Sequence, residues 1–263
     1  DKVSARLHAP REGERGKDGI ACLRAGGLFH PVAIAAGDEN IRVVDAGVPA
    51  VYSFSPAGEL RDTLRLDDLP EKAALGPDGA IVLARQGSIE LLQRDTRKVL
   101  SFKSSVTALA FSPDRRALAV AGGALHDLSS GTRLFALDGD AVAFTATRDR
   151  LYFLKPDTVE LRDLKSGKLL RRFAIQTPVG NHGTIASDGR HIWVSGPDTW
   201  RLERIEIATG MVTRLAAPER SITALAVAGA GLILAGANLY ASLIDKVEHN
   251  PGSLYRLTEP SGP

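Results

Sequence analysis

The chain has 263 residues, of which 44% are hydrophobic and 24% charged, a composition ordinary for a folded globular protein. Its formal net charge is +2 and its basic residues are spread along the chain, which argues against a dedicated nucleic-acid surface. No apolar run approaches the length of about 18 residues that a spanning helix needs, so the sequence predicts no membrane span.

The start of the chain bears on its origin. It begins at Asp1 rather than at a methionine, and Met211 is its only methionine. We therefore expect a processed N-terminus, which suits either a periplasmic or secreted protein or a domain cut from a longer one. Cys22 is the only cysteine, so no intramolecular disulfide forms.

The first 17 residues are predicted to stand apart from the rest. Lys2–Leu7 is a candidate strand, and Pro10–Asp18 is charged and glycine-bearing, as exposed linkers are. We expect residues 1–17 to form an N-terminal strand and linker, followed by a single domain over residues 18–263.

Short strands separated by turn residues begin at residue 19. Their composition and spacing are typical of strands rather than helices. The five candidates before residue 67 are Ile20–Arg24, Val32–Ala36, Ile41–Asp45, Val51–Phe54 and Leu60–Leu66.

A unit of four short strands recurs from residue 72 onward, most clearly in Ser105–Leu137. Ser105–Phe111 (SVTALAF) nearly coincides with Ser221–Val227 (SITALAV). A repeat of roughly 35–50 residues with four strands is typical of propeller blades. The sequence thus predicts an all-β propeller of six four-stranded blades. A turn precedes the last strand of each copy, at Pro56–Gly58, Asp95–Arg97, Ser129–Gly131, Lys165–Gly167, Ala208–Gly210 and Pro260–Gly262.

At these residues the chain resembles the WD-repeat propellers in degenerate form. Phe111–Asp114 followed by Leu118–Val120 is similar to the first turn and second strand of that family. The resemblance covers residues 31–257 and implies a propeller that binds other proteins. Segments similar to the third strand of the family, with its Asp, are Ile41–Asp45, His126–Leu128 and Leu161–Gly167.

The last copy predicts how the ring closes. Ser253–Thr258 is its third strand, and the chain ends at the turn that elsewhere precedes the fourth. An unpaired sheet edge is a liability, which an N-terminal strand can remove. Lys2–Leu7 and Ile20–Arg24 are both candidates, and if Ile20–Arg24 opens a blade of its own, seven blades become the alternative.

One face of a propeller gathers the loops between outer and inner strands and those between second and third strands, and partners usually bind there. Residues 238–252 interrupt the repeat on that face. Long loops in compact domains are commonly functional, so this one is predicted either to plug the channel or to bind a partner. Segments expected on this face are Asp38–Asn40, Asp67–Asp68, Arg85, Lys155–Asp157, Asn181–His182, Asp198–Trp200, Arg220 and Asn238–Gly252.

The candidate partner-binding residues are loop residues on that face with aromatic, basic or acidic side chains. Trp and Tyr are enriched at interface hot spots. Trp193 is not a candidate, because it lies within a second strand and is predicted to pack between blades. The candidates are His182, Trp200, Arg220, Tyr240, Asp245 and His249.

The sequence predicts no catalytic residue, metal ligand or cofactor. His182 and His191 are expected at opposite ends of a strand, too far apart to share a metal ion. Leu164–Lys168 is similar to a phosphate-binding loop only superficially, because it lies in a turn between strands.

We therefore expect a non-catalytic module that presents the loops of one face to a protein partner or to subunits of a larger assembly. The alternative is a propeller enzyme or a cofactor- or metal-binding protein, similar to lactonases or quinoproteins. That alternative needs Glu, Asp, Asn or His side chains around the channel. The expected inner strands carry mainly Ala, Val, Leu and Thr, which favours the binding module.

Overall fold

The computed structural model describes residues 20–76, 79–93, 96–180, 182–196, 201–218, 221–228, 231–236 and 252–258. Within these residues the chain forms six antiparallel sheets of four strands each, arranged as the blades of a propeller. The predicted all-β fold with six four-stranded blades is confirmed. In the described ranges no helical segment is long and apolar enough to span a membrane.

Each blade is built outward from the central channel. The inner strands are β2 (Pro31–Ala36), β6 (Lys72–Leu75), β10 (Val106–Phe111), β14 (Ala143–Thr147), β18 (Thr184–Ser187) and β22 (Ile222–Ala228). The second strands are β3 (Ile41–Asp45), β7 (Ile81–Arg85), β11 (Ala117–Ala121), β15 (Arg150–Leu154), β19 (His191–Ser195) and β23 (Gly231–Gly236). The third strands are β4 (Ala50–Phe54), β8 (Ser88–Gln93), β12 (Ala124–Asp127), β16 (Thr158–Asp163), β20 (Arg201–Glu206) and β24 (Gly252–Thr258). The outer strands are β5 (Leu60–Arg65), β9 (Thr96–Ser101), β13 (Thr132–Ala136), β17 (Leu169–Ala174), β21 (Val212–Ala216) and β1 (Ile20–Leu28).

The hydrophobic core lies between the blades rather than at one centre. Six clusters of buried side chains are found among the described residues, each joining two successive blades. Tyr152 of the fourth blade, for example, shares a cluster with Ile192 of the fifth. Trp193 is buried in the cluster between the fifth and sixth blades, which confirms its predicted packing role.

The N-terminal strand closes the ring. β1 pairs antiparallel with β24, with Ile20 opposite Leu257 and Leu28 opposite Gly252. The predicted closure by an N-terminal strand is thus confirmed, and of the two candidate segments Ile20–Arg24 lies within this strand. The seven-bladed alternative is wrong because the segment completes the sixth sheet. Lys2–Leu7 lies outside the described residues.

The assignment of Ile41–Asp45 to a third strand is wrong. This segment is β3, the second strand of the first blade. Its terminal Asp45 binds backbone amides of the loop that follows, as Asp127 and Asp163 do at the ends of true third strands. The same local chemistry at two different turns explains why the sequence alone misplaced it. Consequently Asp38–Asn40 lies between the first and second strands, on the face opposite to the predicted one.

Candidate functional site at the mouth of the channel

The entry face is the face on which the inner strands begin. It consists of the loops from outer to inner strands and from second to third strands. It carries Asp67–Asp68, Arg85, Lys155–Asp157 and His182, as predicted from the sequence. Because all inner strands start there, residues that directly precede or open them surround the mouth of the channel.

Three basic side chains lie at this mouth, and we call them the basic cluster: His30, Lys72 and His182. His30 directly precedes β2, Lys72 opens β6, and His182 stands two residues before β18. His30 and Lys72 are half-buried, whereas His182 is exposed. Among the described residues, none forms an ion pair or side-chain hydrogen bond with the imidazoles or the ammonium of the cluster.

His182 and Lys72 lie close enough to His30 to act on it electrostatically. Burial lowers the pKa of His30, the carboxylate of Asp45 raises it, and the charges of His182 and Lys72 lower it further. The result is a pKa below the ordinary value of an imidazole. Burial also lowers the pKa of Lys72, against a smaller opposing effect of Glu71.

Asp45 fixes the loop that presents His30. Its buried carboxylate accepts hydrogen bonds from the backbone N–H groups of Phe29 at 2.6 Å, His30 at 2.9 Å and Gly47 at 2.8 Å. A fourth bond comes from the N–H of Val48 at 3.2 Å. A carboxylate engaged by four amides orders the loop and is less available to the imidazole beside it.

Two large apolar side chains stand on the same face. Phe29 is 45% exposed in the loop that leads into the first blade. Leu69 is 52% exposed in the loop that leads into the second blade. The entry face therefore combines exposed apolar side chains with basic side chains that have no ion-pair partner in the part of the chain that the structure describes.

Buried glutamates hold the neighbouring loops in place. Glu160 in β16 binds Arg162 at 2.8 Å, Arg172 at 3.1 Å and Lys155 at 3.3 Å. Lys155 lies on the entry face, so this ion pair ties its loop to the interior of the blade.

The same arrangement is repeated two blades earlier. Glu90 in β8 binds Arg85 at 2.8 Å and Arg97 at 2.5 Å. Arg85 and Lys155, both predicted on the partner-binding face, are thus already held by internal carboxylates. The signal in the sequence is a glutamate at the third position of these strands, directly after an apolar residue.

The fifth blade departs from this pattern. Glu203 occupies the equivalent position in β20, but Gly196 stands where Arg85 and Lys155 stand in their blades. One oxygen of Glu203 accepts the N–H of Gln176 at 2.9 Å, and the other is buried without a hydrogen-bond partner. Arg214 lies 3.7 Å away, so this carboxylate is less fully compensated than the other two.

A cleft of about 840 Å³ lies on the opposite face, between the turns of the fourth and fifth blades. Two of its acidic side chains are engaged locally, Asp188 by His191 at 3.1 Å and Glu206 by Thr209 at 2.6 Å. We place the candidate site on the entry face instead, because the basic cluster and the exposed Phe29 and Leu69 lie on that face.

The predicted partner-binding residues are only partly placed by the structure. His182 is exposed on the entry face, as predicted. Trp200, Arg220, Tyr240, Asp245 and His249 lie outside the described residues, as do residues 238–251 of the insertion. Within the described ranges no group of three or more His, Cys, Asp or Glu side chains is placed to share a metal ion.

Four residues of the entry face were missed by the sequence analysis: Phe29, His30, Leu69 and Lys72. Their signal was positional, because each lies in or directly after a connection into an inner strand. No composition or motif marks such a position before the blades are delimited.

The chain resembles known proteins in its fold alone. No protein-family profile and no curated protein sequence matches it. Among solved structures, the computationally designed Ika8 protein matches with a TM-score of 0.53 and 17% identity, over 81% of this chain and 70% of that one. Streptogramin B lyase matches with a TM-score of 0.59 and 13% identity, over 83% of this chain and 82% of that one.

The chain adopts the six-bladed β-propeller fold. At identities this low the two likenesses show a shared fold and nothing about activity. Neither of them assigns the chain to the WD-repeat propellers that the sequence resembles.

Proposed function

We propose that this chain is a non-catalytic binding module whose entry face receives a protein partner or subunits of a larger assembly. The observation that supports the proposal is the pairing of Phe29 and Leu69, both about half exposed, with the basic cluster on one face. Protein interfaces commonly combine apolar anchors with a polar rim, and a few anchors supply most of the binding energy.

The two loops that carry Phe29 and Leu69 are held by contacts within the protein. Asp45 orders the loop of Phe29, as described above. The loop of Leu69 is tied to the second blade, since Arg85 donates to the carbonyl of Asp68 at 3.5 Å and Arg97 lies 3.5 Å from the carboxylate of Asp67. Preorganisation lowers the entropy cost of binding, so such a surface suits a recognition role.

The alternative function, a propeller enzyme or a cofactor- or metal-binding protein similar to lactonases or quinoproteins, receives less support. It calls for carboxylates or other ligands that converge on the channel. The described charged side chains at the channel mouth are three basic groups, His30, Lys72 and His182, against the carboxylate of Glu71. This balance favours an anionic group over a metal cation.

The proposal is tested by recovering partners on immobilised protein and measuring their affinity by calorimetry. Replacing Phe29 and Leu69 together by Ala should weaken binding of the recovered partner by about 2 kcal/mol or more, roughly 30-fold in Kd. Folding should change little, because both side chains are exposed.

A matched control is available on the outer strands. Leu60 and Leu170 are 48% and 46% exposed, as much as the two anchors, but lie at the starts of β5 and β17, on the face opposite to the entry face. The double substitution Leu60→Ala and Leu170→Ala should leave affinity unchanged. Equal losses in both double variants, or full affinity without Phe29 and Leu69, would contradict a docking site on the entry face.

A further inference from the structure

We infer that His30, Lys72 and His182 together bind an anionic group, a carboxylate or a phosphate, at the mouth of the channel. The inference deepens the proposed function and rests on it, because it assigns acidic chemistry to the part of the partner that enters the mouth. It concerns three side chains to which the described residues offer no ion pair and no side-chain hydrogen bond.

The geometry brings these residues together from three different blades. His30 belongs to the first blade, Lys72 to the second and His182 to the fifth. Each lies where an inner strand begins, and the inner strands form a closed ring in which β2 contacts both β6 and β22. The three residues therefore surround one opening, and His182 and Lys72 both lie near enough to act electrostatically on His30.

The electrostatics of the mouth favour a negative charge. The groups that act on His30 are Asp45, which attracts a proton to it, and His182 and Lys72, which repel one. The carboxylate of Glu71 attracts the ammonium group of Lys72 and raises its pKa. Since four backbone amides engage Asp45, and since the described residues offer no ion-pair partner to the cluster, the like charges are left incompletely balanced.

The chemistry of the donors fits oxyanions. Protonated imidazoles and an ammonium group present only N–H donors, which form charge-assisted hydrogen bonds with carboxylate and phosphate oxygens. Partial burial of His30 and Lys72 strengthens such bonds, because water screens them less. The neighbouring Phe29 and Leu69 would then contact the apolar surroundings of the same anionic group.

Binding should depend on pH with a definite sign. A bound anion favours protonated imidazole, so the pKa of His30 must be higher in the complex than in the free protein, where it is lowered. The affinity for the anion therefore rises as the pH falls from the pKa of His30 in the complex to its lower pKa in the free protein. The lower end of this range lies below about 6.5, the ordinary pKa of an imidazole.

The test is an NMR titration of the imidazole resonances of the full chain, with inorganic phosphate in one arm and a hexaglutamate peptide in the other. His30→Gln and His182→Gln assign the resonances. We expect the pKa of His30 to rise by about half a unit or more with at least one probe. The resonance of His191, on the opposite face, serves as an internal reference and should not respond.

Substitution of the lysine decides whether the cluster acts as one site. Lys72→Met should weaken probe binding about tenfold, whereas Lys103→Met, which alters an exposed lysine in the corresponding loop of the third blade, should not. If Lys72→Met impairs folding, His182→Gln, at an exposed position, provides the same comparison.

The two probes also separate the sources of the anion. A response to hexaglutamate supports a carboxylate of an acidic polypeptide as the bound anion, and a response to phosphate alone supports a phosphate group instead. No response to either probe, or equal responses in the Lys72→Met and Lys103→Met variants, overturns the site itself. A failure of the proposed function gives a different result: His30 responds to a probe in the NMR titration, but no protein partner is recovered on the immobilised protein.

Discussion

At the scale of single residues, the molecule is marked by carboxylates inside the blades. Glu160 is almost fully buried and is surrounded by Arg162, Lys155 and Arg172. Burial raises its pKa, but hydrogen bonds and charges from Arg162, together with Lys155 and Arg172, outweigh this effect and lower the pKa below the ordinary value. Buried charges persist only when they are paired in this way.

Replacing Glu160 by Gln should destabilise the protein by about 3 kcal/mol at neutral pH, because Arg162 is then left buried without its carboxylate. A carboxyl group with a lowered pKa stabilises the fold above its unfolded pKa, and the contribution is lost as pH falls through the folded pKa. The difference in the free energy of unfolding between wild type and Glu160→Gln should therefore become smaller at acid pH. Urea unfolding at a series of pH values measures it.

The exposed Glu59 offers the control for this experiment. Glu59→Gln should leave the free energy of unfolding within about 0.5 kcal/mol of wild type. A gap for Glu160→Gln that stays constant from neutral to strongly acid pH would show that the ion pairs around Glu160 do not stabilise the fold.

The environment of a side chain can be predicted from the sequence when its position within one strand is enough to determine it. Trp193 could be assigned to inter-blade packing because it alternates within a strand. Glu160 could not be explained, because its partners depend on register, with Arg172 opposite it on the outer strand. His30, Lys72 and His182 are far apart in the chain, and only the closed ring brings them to one mouth.

At the scale of elements, each blade is fastened to the next by a turn. Arg171 on outer strand β17 donates to the carbonyls of Ile207 at 2.7 Å, Ala208 at 3.0 Å and Thr209 at 3.1 Å in the following blade. Lys98 on β9 reaches the equivalent turn of the third blade, at the carbonyl of Ser129. Basic outer-strand residues thus satisfy carbonyls of the neighbouring turn.

Elsewhere the same junction is made by close packing against glycine. A Cβ at Gly167 would lie 2.4 Å from the ring of Phe135 on the outer strand of the preceding blade. Gly167 also has a φ of 71°, a conformation that favours glycine. The sequence predicted this turn from its glycine, but it could not reveal the contact, since Phe135 belongs to another blade.

Replacing Arg171 by Ala should cost about 1–2 kcal/mol of stability, because hydrogen bonds of a charged donor to three carbonyls are lost. Arg133→Ala, at an exposed position of outer strand β13, should cost less than about 0.5 kcal/mol. Chemical denaturation of both variants gives the comparison. Similar stabilities would mean that the contacts of Arg171 add nothing to the junction between the blades.

At the scale of the whole molecule, closure joins the two ends of the described chain. The sequence predicted that an N-terminal strand completes the last blade, and β1 does so by pairing with β24. The sequence could not choose between Lys2–Leu7 and Ile20–Arg24, because both have the composition of a strand. The connection favours the second, because only Phe29 and His30 separate β1 from the inner strand β2.

Removing residues 1–28 should destabilise the entire ring, because it leaves the edge of β24 unpaired and deletes the buried Cys22 and Leu28. A loss of about 3–5 kcal/mol corresponds to a Tm lower by roughly 10 °C for a chain of this size. Removing residues 1–9 alone should leave the Tm unchanged, because β1 is retained. A synthetic peptide of residues 18–30 should restore part of the lost Tm by adding back the strand. Equal melting temperatures for the full chain and both truncations would show that the pairing of β1 with β24 does not hold the ring together.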